Sequence, residues 1–408
     1  MTAVGAGKLV RLGLQVLGRG GTALPGLVTL AIDPHAIGHL AGSLAHGSVC
    51  ISGTNGKTTT SRMVSDIVRA AGWQPVHNRS GSNLERGIAA ALAVDATWSG
   101  ELRGDVGVFE VDEASVGSVL ARLTPDVLVV TNLFRDQLDR YFEIDALARR
   151  IGEAVRSLPD TTTLVLNADD PIVAHYAAAT SGQTVFYGFG EPLPGGVGVV
   201  DGWITADGAG RVMPLSELRI PGRHNVSNAM AAVSVALYFG IAPDAIRRAA
   251  GEFRGVEHRL EEVATIDGVR FVNDSQGTQP DAVIAALRAF EPPVVLIAGG
   301  RDKGVDLGDL PDVVAERAAA AVLIGESGPA LGRRFADAGL RRVERAETLD
   351  DAVELAEAIA RASRRDDRIA TVLLSPAAAS FDMFVDYAER GRAFKAAVAR
   401  RAARGGRR

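Results

Sequence analysis

From His46 almost to the C-terminus, short apolar runs alternate with longer stretches in which apolar positions recur every three or four residues. The first run, His46–Ser52, reads as a buried strand. A Gly-rich turn follows it, and then a helical pattern through Ala71. Val106–Glu110, Val127–Asn132 and Thr163–Asn167 are further short β-rich runs, with helical stretches such as Asp145–Leu158 between them. Strands alternating with helices predict a mostly parallel sheet with helices on both faces. The Gly-rich, acidic interval Phe186–Pro221 breaks this rhythm and predicts short antiparallel strands and turns at the edge of a first domain. Helices resume at Asn225–Phe239 and Ala242–Phe253.

A second alternation begins after Gly255. The spacing predicts strands Val269–Asn273, Val294–Ala298, Ala320–Ile324 and Thr371–Leu374, with helices Pro280–Ala289, Pro311–Ala319 and Leu349–Ala362 between them. The domain boundary is placed between Gly255 and Asp267. The organisation is then a short, Gly-interrupted segment over residues 1–45, a central α/β domain over 46–258 and a Rossmann-like α/β domain over 259–408.

Composition narrows the class. A chain of 408 residues, 47 % hydrophobic and 23 % charged, is ordinary globular material for more than one domain. A net charge of −5 argues against a nucleic-acid binder, which needs clustered excess Lys and Arg to neutralise phosphates. The basic run Arg400–Arg408 reads as a solvated, frayed terminus. The single cysteine, Cys50, lies in an apolar run and reads as a small buried hydrophobe. One cysteine excludes an internal disulfide framework and a multi-cysteine zinc site, so no zinc is expected. Neither a signal peptide nor a membrane-spanning apolar run is evident, which points to the cytoplasm.

The sharpest chemistry is Gly53-Thr54-Asn55-Gly56-Lys57-Thr58-Thr59, directly after a strand and opening a helix. Small residues let backbone N–H groups converge on phosphates, and the helix N-terminus favours negative charge. Lys57 would sit on the outer phosphates, and the Thr58 hydroxyl would coordinate magnesium. ATP with Mg2+ is the expected cofactor. His77, His175 and His258 have no partner at metal-ligand spacing and read as structural.

The phosphate loop, Asn167-Ala168-Asp169-Asp170-Pro171 and Gly222-Arg223-His224-Asn225-Val226-Ser227-Asn228-Ala229 occur in the order and spacing of the Mur ligases, which the chain resembles from about Val49 onward. The resemblance implies a central P-loop ATPase domain with a mostly parallel sheet and a C-terminal Rossmann-like α/β domain. It implies ATP-dependent activation of a muramyl-peptide carboxylate as an acyl phosphate, which an amine then attacks. In that pattern Glu110 holds a magnesium ion, Asn225 and Asn228 lie near the adenine, and Arg259 and Asp274 lie near the ribose and phosphates. His224 is structural in the same pattern.

Two branches of the family are resembled. The segments Leu24-Pro25-Gly26, His77–Asn83, Glu110–Glu113 and Thr131–Arg140 look like the amidating MurT type, which takes ammonia from a glutaminase subunit and acts on lipid-linked precursor at the membrane surface. The segments Phe271–Thr278, Ala298–Gly304 and Leu374–Asp382 look like the MurD type, which adds D-glutamate to a UDP-linked acceptor. There Thr278, Lys303, Ser380 and Phe381 would surround the incoming D-glutamate, with Lys303 pairing its carboxylate. Gln276 departs from that pattern, which carries a lysine. No lysine stands between Lys57 and Lys303, so a carbamylated lysine holding a second magnesium is absent. MurT-like amidation is the first expectation and MurD-like addition the second. A nucleotide-binding subunit without catalysis is the reading from another class, and intact Lys57, Thr58 and Glu110 count against it.

Overall fold

The computed structural model describes residues 2–16, 24–78, 83–133, 141–220, 222–302, 304, 306–364 and 368–405. They form two compact units, Met1–Phe253 and Arg254–Arg408.

The first unit carries strands β1 (Ser48–Ser52), β2 (Pro75–His77), β3 (Val106–Glu110), β4 (Val127–Val130), β5 (Thr163–Asn167), β6 (Thr184–Tyr187), β7 (Val197–Val200), β8 (Trp203–Ala206) and β9 (Gly210–Pro214). They form one sheet in the order β2-β3-β1-β4-β5-β6-β7-β8-β9. Pairing is parallel from β2 through β7, and antiparallel for β7-β8 and β8-β9. The antiparallel end is the Gly-rich interval that broke the sequence pattern. Strands β1, β3, β4 and β5 are buried along their whole length, which explains their unbroken apolar runs. Cys50, Phe109, Leu128 and Leu164 point into a core shared with Ile88 and Leu92 of helix Glu85–Asp95.

The described residues of the segment 1–45 carry longer helices than the helical patches expected of it. They form helices Thr2–Val16, Leu24–Ile32 and Ala36–Ala41, and Val4, Ile37, Leu40 and Leu44 enter that same core. Close packing here depends on glycine. A Cβ on Gly26 would meet the Arg86 carbonyl oxygen at 1.8 Å, and one on Gly7 would meet Thr29 Oγ1 at 2.4 Å.

The second unit carries β10 (Glu261–Ile266), β11 (Val269–Asn273), β12 (Val294–Gly299), β13 (Ala318–Ile324), β14 (Val343–Arg345) and β15 (Ala370–Leu374), in the order β10-β11-β15-β12-β13-β14. Only β10 is antiparallel to its neighbour. Helices fill apolar clusters around this sheet, one with Val353, Ile359, Phe394 and Val398, the other with Val283, Leu287, Val314 and Phe335.

Three expectations need correction. The helix set at Pro311–Ala319 ends at Arg317, and Ala318 already extends as β13, because Ala318–Ala320 carries no side-chain signal to separate the two states. Strands β2 and β14, three residues each, are too short for a period-2 pattern to register. The basic terminus is not frayed as far as Gly405. It lies in helix Tyr387–Gly405, where Arg401 pairs with Glu357 at 2.6 Å and Glu354 at 3.0 Å, and Arg400 pairs with Asp350. Glu357 is almost wholly buried, so Arg401 answers a charge that burial would otherwise penalise.

Gly26→Ala is expected to destabilise the first unit by about 1–3 kcal/mol, because the added methyl meets backbone that cannot yield cheaply. Thermal unfolding of the purified variant checks this, and an unchanged midpoint contradicts it.

Candidate functional site

In the first unit, β1 lies between β3 and β4, and the carboxyl ends of all three strands lead into the polar loops of interest. A strand order that reverses around a central strand leaves a crevice at those ends, where ligands of open α/β sheets bind. Residues 53–56 cross it from β1 to helix Lys57–Ala70. The loop is held by the turn after β4. Thr54 N donates to Asn132 O at 2.8 Å, Asn55 N to Asn132 Oδ1 at 2.9 Å, and Thr131 Oγ1 to Asn55 O at 2.7 Å. Gly53 and Gly56 have φ of 125° and 89°, a region open chiefly to glycine. A Cβ on Gly56 would also meet Asn228 Oδ1 at 2.2 Å.

Lys57 opens the helix, where first-turn N–H groups have no intrahelical acceptor. Its ammonium donates to the Gly53 carbonyl, to Thr54 O at 3.1 Å and to Glu113 Oε2 at 2.9 Å. Thr58 Oγ1 donates to Glu110 Oε1 at 2.9 Å, and Asn83 Nδ2 donates to the same oxygen at 2.7 Å. Asn78 fixes the Glu110 backbone from both sides, donating to its carbonyl at 2.8 Å and accepting from its N–H at 2.9 Å. A hydroxyl and a carboxylate therefore share one point beside the loop, with a lysine next to it. That donor set fits magnesium, which takes one or two protein oxygens and completes its shell with phosphate oxygens and water. Among the described residues no cluster of three or more His, Cys, Asp or Glu offers an all-protein metal cage.

The other two motifs of this unit buttress the loop. Asn167 Nδ2 donates to Thr131 O at 2.9 Å, and Asp170 Oδ2 accepts from Leu133 N at 2.7 Å while its other oxygen caps the short helix at Pro171. Asn225 and Asn228 are buried on helix Arg223–Tyr238 and bonded to each other at 3.2 Å, with Asn228 against Gly56. Arg223 lies over the Phe189 ring, 3.4 Å from its centroid. His224 packs on Gly222.

The remaining described candidates lie in the second unit: Asp274 and Thr278 follow β11, Ser380 and Phe381 follow the adjacent β15, and Arg259 precedes β10. Ala377 N donates to Gly277 O at 2.9 Å and Arg301 N to Ala379 O at 2.8 Å, so the segments bearing Thr278, Ser380 and Arg301 are stitched together. Arg390, almost wholly buried, reinforces the stitch by donating to Ser275 O at 2.8 Å and Ala378 O at 3.2 Å. Ser380 is buried, whereas Phe381 is 64 % exposed. Gln276 Nε2 donates to Glu257 O at 3.3 Å. Lys303 lies outside the described residues. Asp274 accepts from Ser375 Oγ at 2.6 Å and from Leu260 N at 3.2 Å. Burial pushes its carboxyl up to about 6, while those hydrogen bonds and the charges of Arg259 and Arg390 pull the other way. His258 is held low, chiefly by burial, beside Asn273, in keeping with a structural role.

Sequence reasoning assigned no role to Asn78, Asn83, Glu113, Thr131, Asn132 or Arg390. The signal was available for all but the last: each is a polar residue at or just beyond the carboxyl end of a parallel strand. Arg390 carried none, because a helical arginine reads as surface.

Two outcomes follow. Gly56→Ala meets a backbone cost of about 1–3 kcal/mol at positive φ as well as the Asn228 side chain, and ATP affinity measured by calorimetry should fall by about tenfold or more. Asp274 holds a proton in the folded chain between pH 3.8 and about 6 that the unfolded chain has released. Its contribution to stability therefore falls as pH rises through that window. Asp274→Asn should flatten this slope in denaturant midpoints taken across it, and a parallel slope in both proteins contradicts the assignment.

The chain matches the Mur ligase middle domain over residues 51–236 and the Mur ligase glutamate ligase domain over residues 258–378. It is 36 % identical over 356 residues to the protein of Pelotomaculum thermopropionicum named UDP-N-acetylmuramoylalanine--D-glutamate ligase, covering 86 % of this chain and 74 % of that one. A protein of the same name from Salinibacter ruber is 38 % identical over 362 residues, covering 86 % and 75 %. Among solved structures, MurF of Acinetobacter baumannii superposes with a TM-score of 0.66 at 19 % identity, covering 93 % of this chain and 81 % of that one. MurC of Thermotoga maritima gives 0.58 at 20 %, covering 87 % and 75 %. The expected resemblance to the amidating MurT type finds no support in these relatives, which carry the D-glutamate ligase name. On the domain matches and the extent of this identity, the chain belongs to the Mur ligase family of ATP-dependent amide ligases.

Proposed function

We propose that this ligase adds D-glutamate to the carboxylate of UDP-N-acetylmuramoyl-L-alanine in peptidoglycan precursor synthesis, the second of the two expectations drawn from the sequence. The observation that carries the reading is the name shared by relatives that are more than a third identical over 86 % of the chain. The joined loops bearing Thr278 and Ser380 support it, since hydroxyls gathered at strand ends suit a small dicarboxylate.

In this reading Lys57 and the first-turn N–H groups of its helix grip the outer phosphates of ATP, and residues 53–59 form the cradle. Thr58 and Glu110 would hold the magnesium, which would supply positive charge against the repulsion between the γ-phosphate and the acceptor carboxylate. Asn83 and Asn78 keep Glu110 aimed at that point. Asn225 and Asn228 support the nucleotide from behind Gly56, and for Arg259 and Asp274 the reading keeps the nucleotide-contact role that the family resemblance implies. The phosphoryl group passes to the acceptor carboxylate. The D-glutamate amine then attacks the acyl carbon, phosphate leaves, and the amine loses a proton. Thr278, Lys303, Ser380 and Phe381 orient the amino acid. Amidation by ammonia of a lipid-linked precursor, with a glutaminase subunit, is the second reading, and Gln276 in place of a lysine is the feature that favours it.

Phosphate release with Mg-ATP separates the two. Turnover is expected with UDP-MurNAc-L-Ala plus D-glutamate. Turnover only with lipid-linked precursor plus ammonia overturns the proposal in favour of amidation. Lys57→Ala should lose at least ~1000-fold in kcat while keeping its unfolding midpoint, and normal turnover in that variant removes Lys57 from the mechanism.

A further inference from the structure

The first two helices leave a large apolar surface that the fold does not use. Their inner faces are already satisfied. Gly7 faces Thr29, Gly26 lies against the backbone at Arg86, and Thr29 Oγ1 donates to Pro25 O at 2.9 Å. Leu9 and Leu12 on Thr2–Val16, and Leu24 and Leu27 on Leu24–Ile32, are nevertheless exposed, Leu9 by 63 %. Within each helix the pair is spaced i, i+3 and so shares one face. Trp98 stands beside them, 57 % exposed, with Lys8 Nζ 5.7 Å from its ring centroid.

Charge says what this surface fits. The chain carries a net −5, yet its first acidic residue is Asp33, so neither helix bears an Asp or Glu. Lys8 and Arg11 lie on the first helix, and the partial burial of Lys8, with the charges of Arg103 and Arg11, holds that ammonium below the ordinary lysine value. Asp95, the acid that acts on Lys8, accepts from Arg103 N at 2.9 Å and Gly104 N at 2.8 Å. Exposed leucines, a tryptophan and cations in excess of the neighbouring Asp95 suit a helix lying in a membrane interface, with apolar side chains among the acyl chains and cations at the headgroups. No described helix is long and apolar enough to cross a bilayer, so the contact would be peripheral.

We infer that helices Thr2–Val16 and Leu24–Ile32, with Trp98, Lys8, Arg11 and Arg103, form a docking surface for a bilayer bearing anionic lipid headgroups. The inference goes beyond the proposed reaction and stands without it.

The test is co-sedimentation of the full chain with sucrose-loaded vesicles, either phosphatidylglycerol mixed with phosphatidylcholine or phosphatidylcholine alone. Partition into the anionic vesicles, weakened by raised salt and at least tenfold poorer into neutral ones, is expected. The triple variant Leu9→Gln, Leu12→Gln, Leu27→Gln should lose at least tenfold in partition while retaining ATP-dependent turnover. Lys8→Gln with Arg11→Gln should lose the salt-sensitive part alone, and serves if the triple variant unfolds. No partition into anionic vesicles overturns the inference. So does a partition that neither variant changes. A concentration-dependent dimer that the triple variant dissolves, without vesicle binding, would also overturn it and assign the surface to a second copy of the chain.

Discussion

The first unit depends on one interlock, the bonding of the loop after β1 to the turn after β4. Thr131 and Asn132 supply acceptors for the N–H groups of Thr54 and Asn55 and donors for the carbonyl of Asn55. Without them the loop would have two φ-permissive glycines and no fixed shape. With them, Lys57 and Thr58 begin their helix at a defined place beside Glu110. The turn is itself secured, because Asn167 and Tyr187 both donate to the Thr131 carbonyl and Asp170 accepts from Leu133. The Asn167–Pro171 motif, which has no chemistry of its own to offer, thereby acts on the phosphate loop through the strand beside it.

The second unit solves a similar problem with a different device. Its loops leave β11, β12 and β15, three neighbouring strands, and the buried guanidinium of Arg390 binds two of the loops through their carbonyl oxygens. A planar group with several fixed donors can satisfy carbonyls that diverge from one another. The accompanying cost is desolvation, which lowers Arg390 to about 10 and raises Asp274 to about 6. Each is partly answered by the other's charge.

Much of this was legible in the sequence. Buried parallel strands announce themselves as continuous apolar runs, so β1, β3, β5 and β11 were placed nearly to the residue. The glycines and the Lys-Thr-Thr step located the phosphate loop, and Glu110 stood at the end of an evident strand. What escaped were residues whose work is done through another residue. Asn78 and Asn83 hold Glu110, and Asn132 holds Asn55, over sequence separations of 27 to 77 residues. No local period encodes such pairs. The segments that resemble the D-glutamate-adding branch, around Thr278, Ser380 and the Gly-Gly-Arg-Asp-Lys stretch, lie in the second half, and relatives over 86 % of the chain carry that ligase's name. The first-half segments that resemble the amidating branch find no support in those relatives.

The contact between Lys57 and Glu113 has a thermodynamic consequence for nucleotide capture. With the Gly53 and Thr54 carbonyls and the Glu113 carboxylate as acceptors, all three ammonium protons are engaged before any phosphate arrives. A phosphate that displaces Glu113 from Lys57 exchanges one anion for another at the same cation, so its binding enthalpy is the difference between two ion pairs and not the gain of one. Such a loop discriminates. A weakly charged or misplaced anion does not repay the loss of Glu113, so occupancy is reserved for a ligand whose charge density exceeds that of a carboxylate.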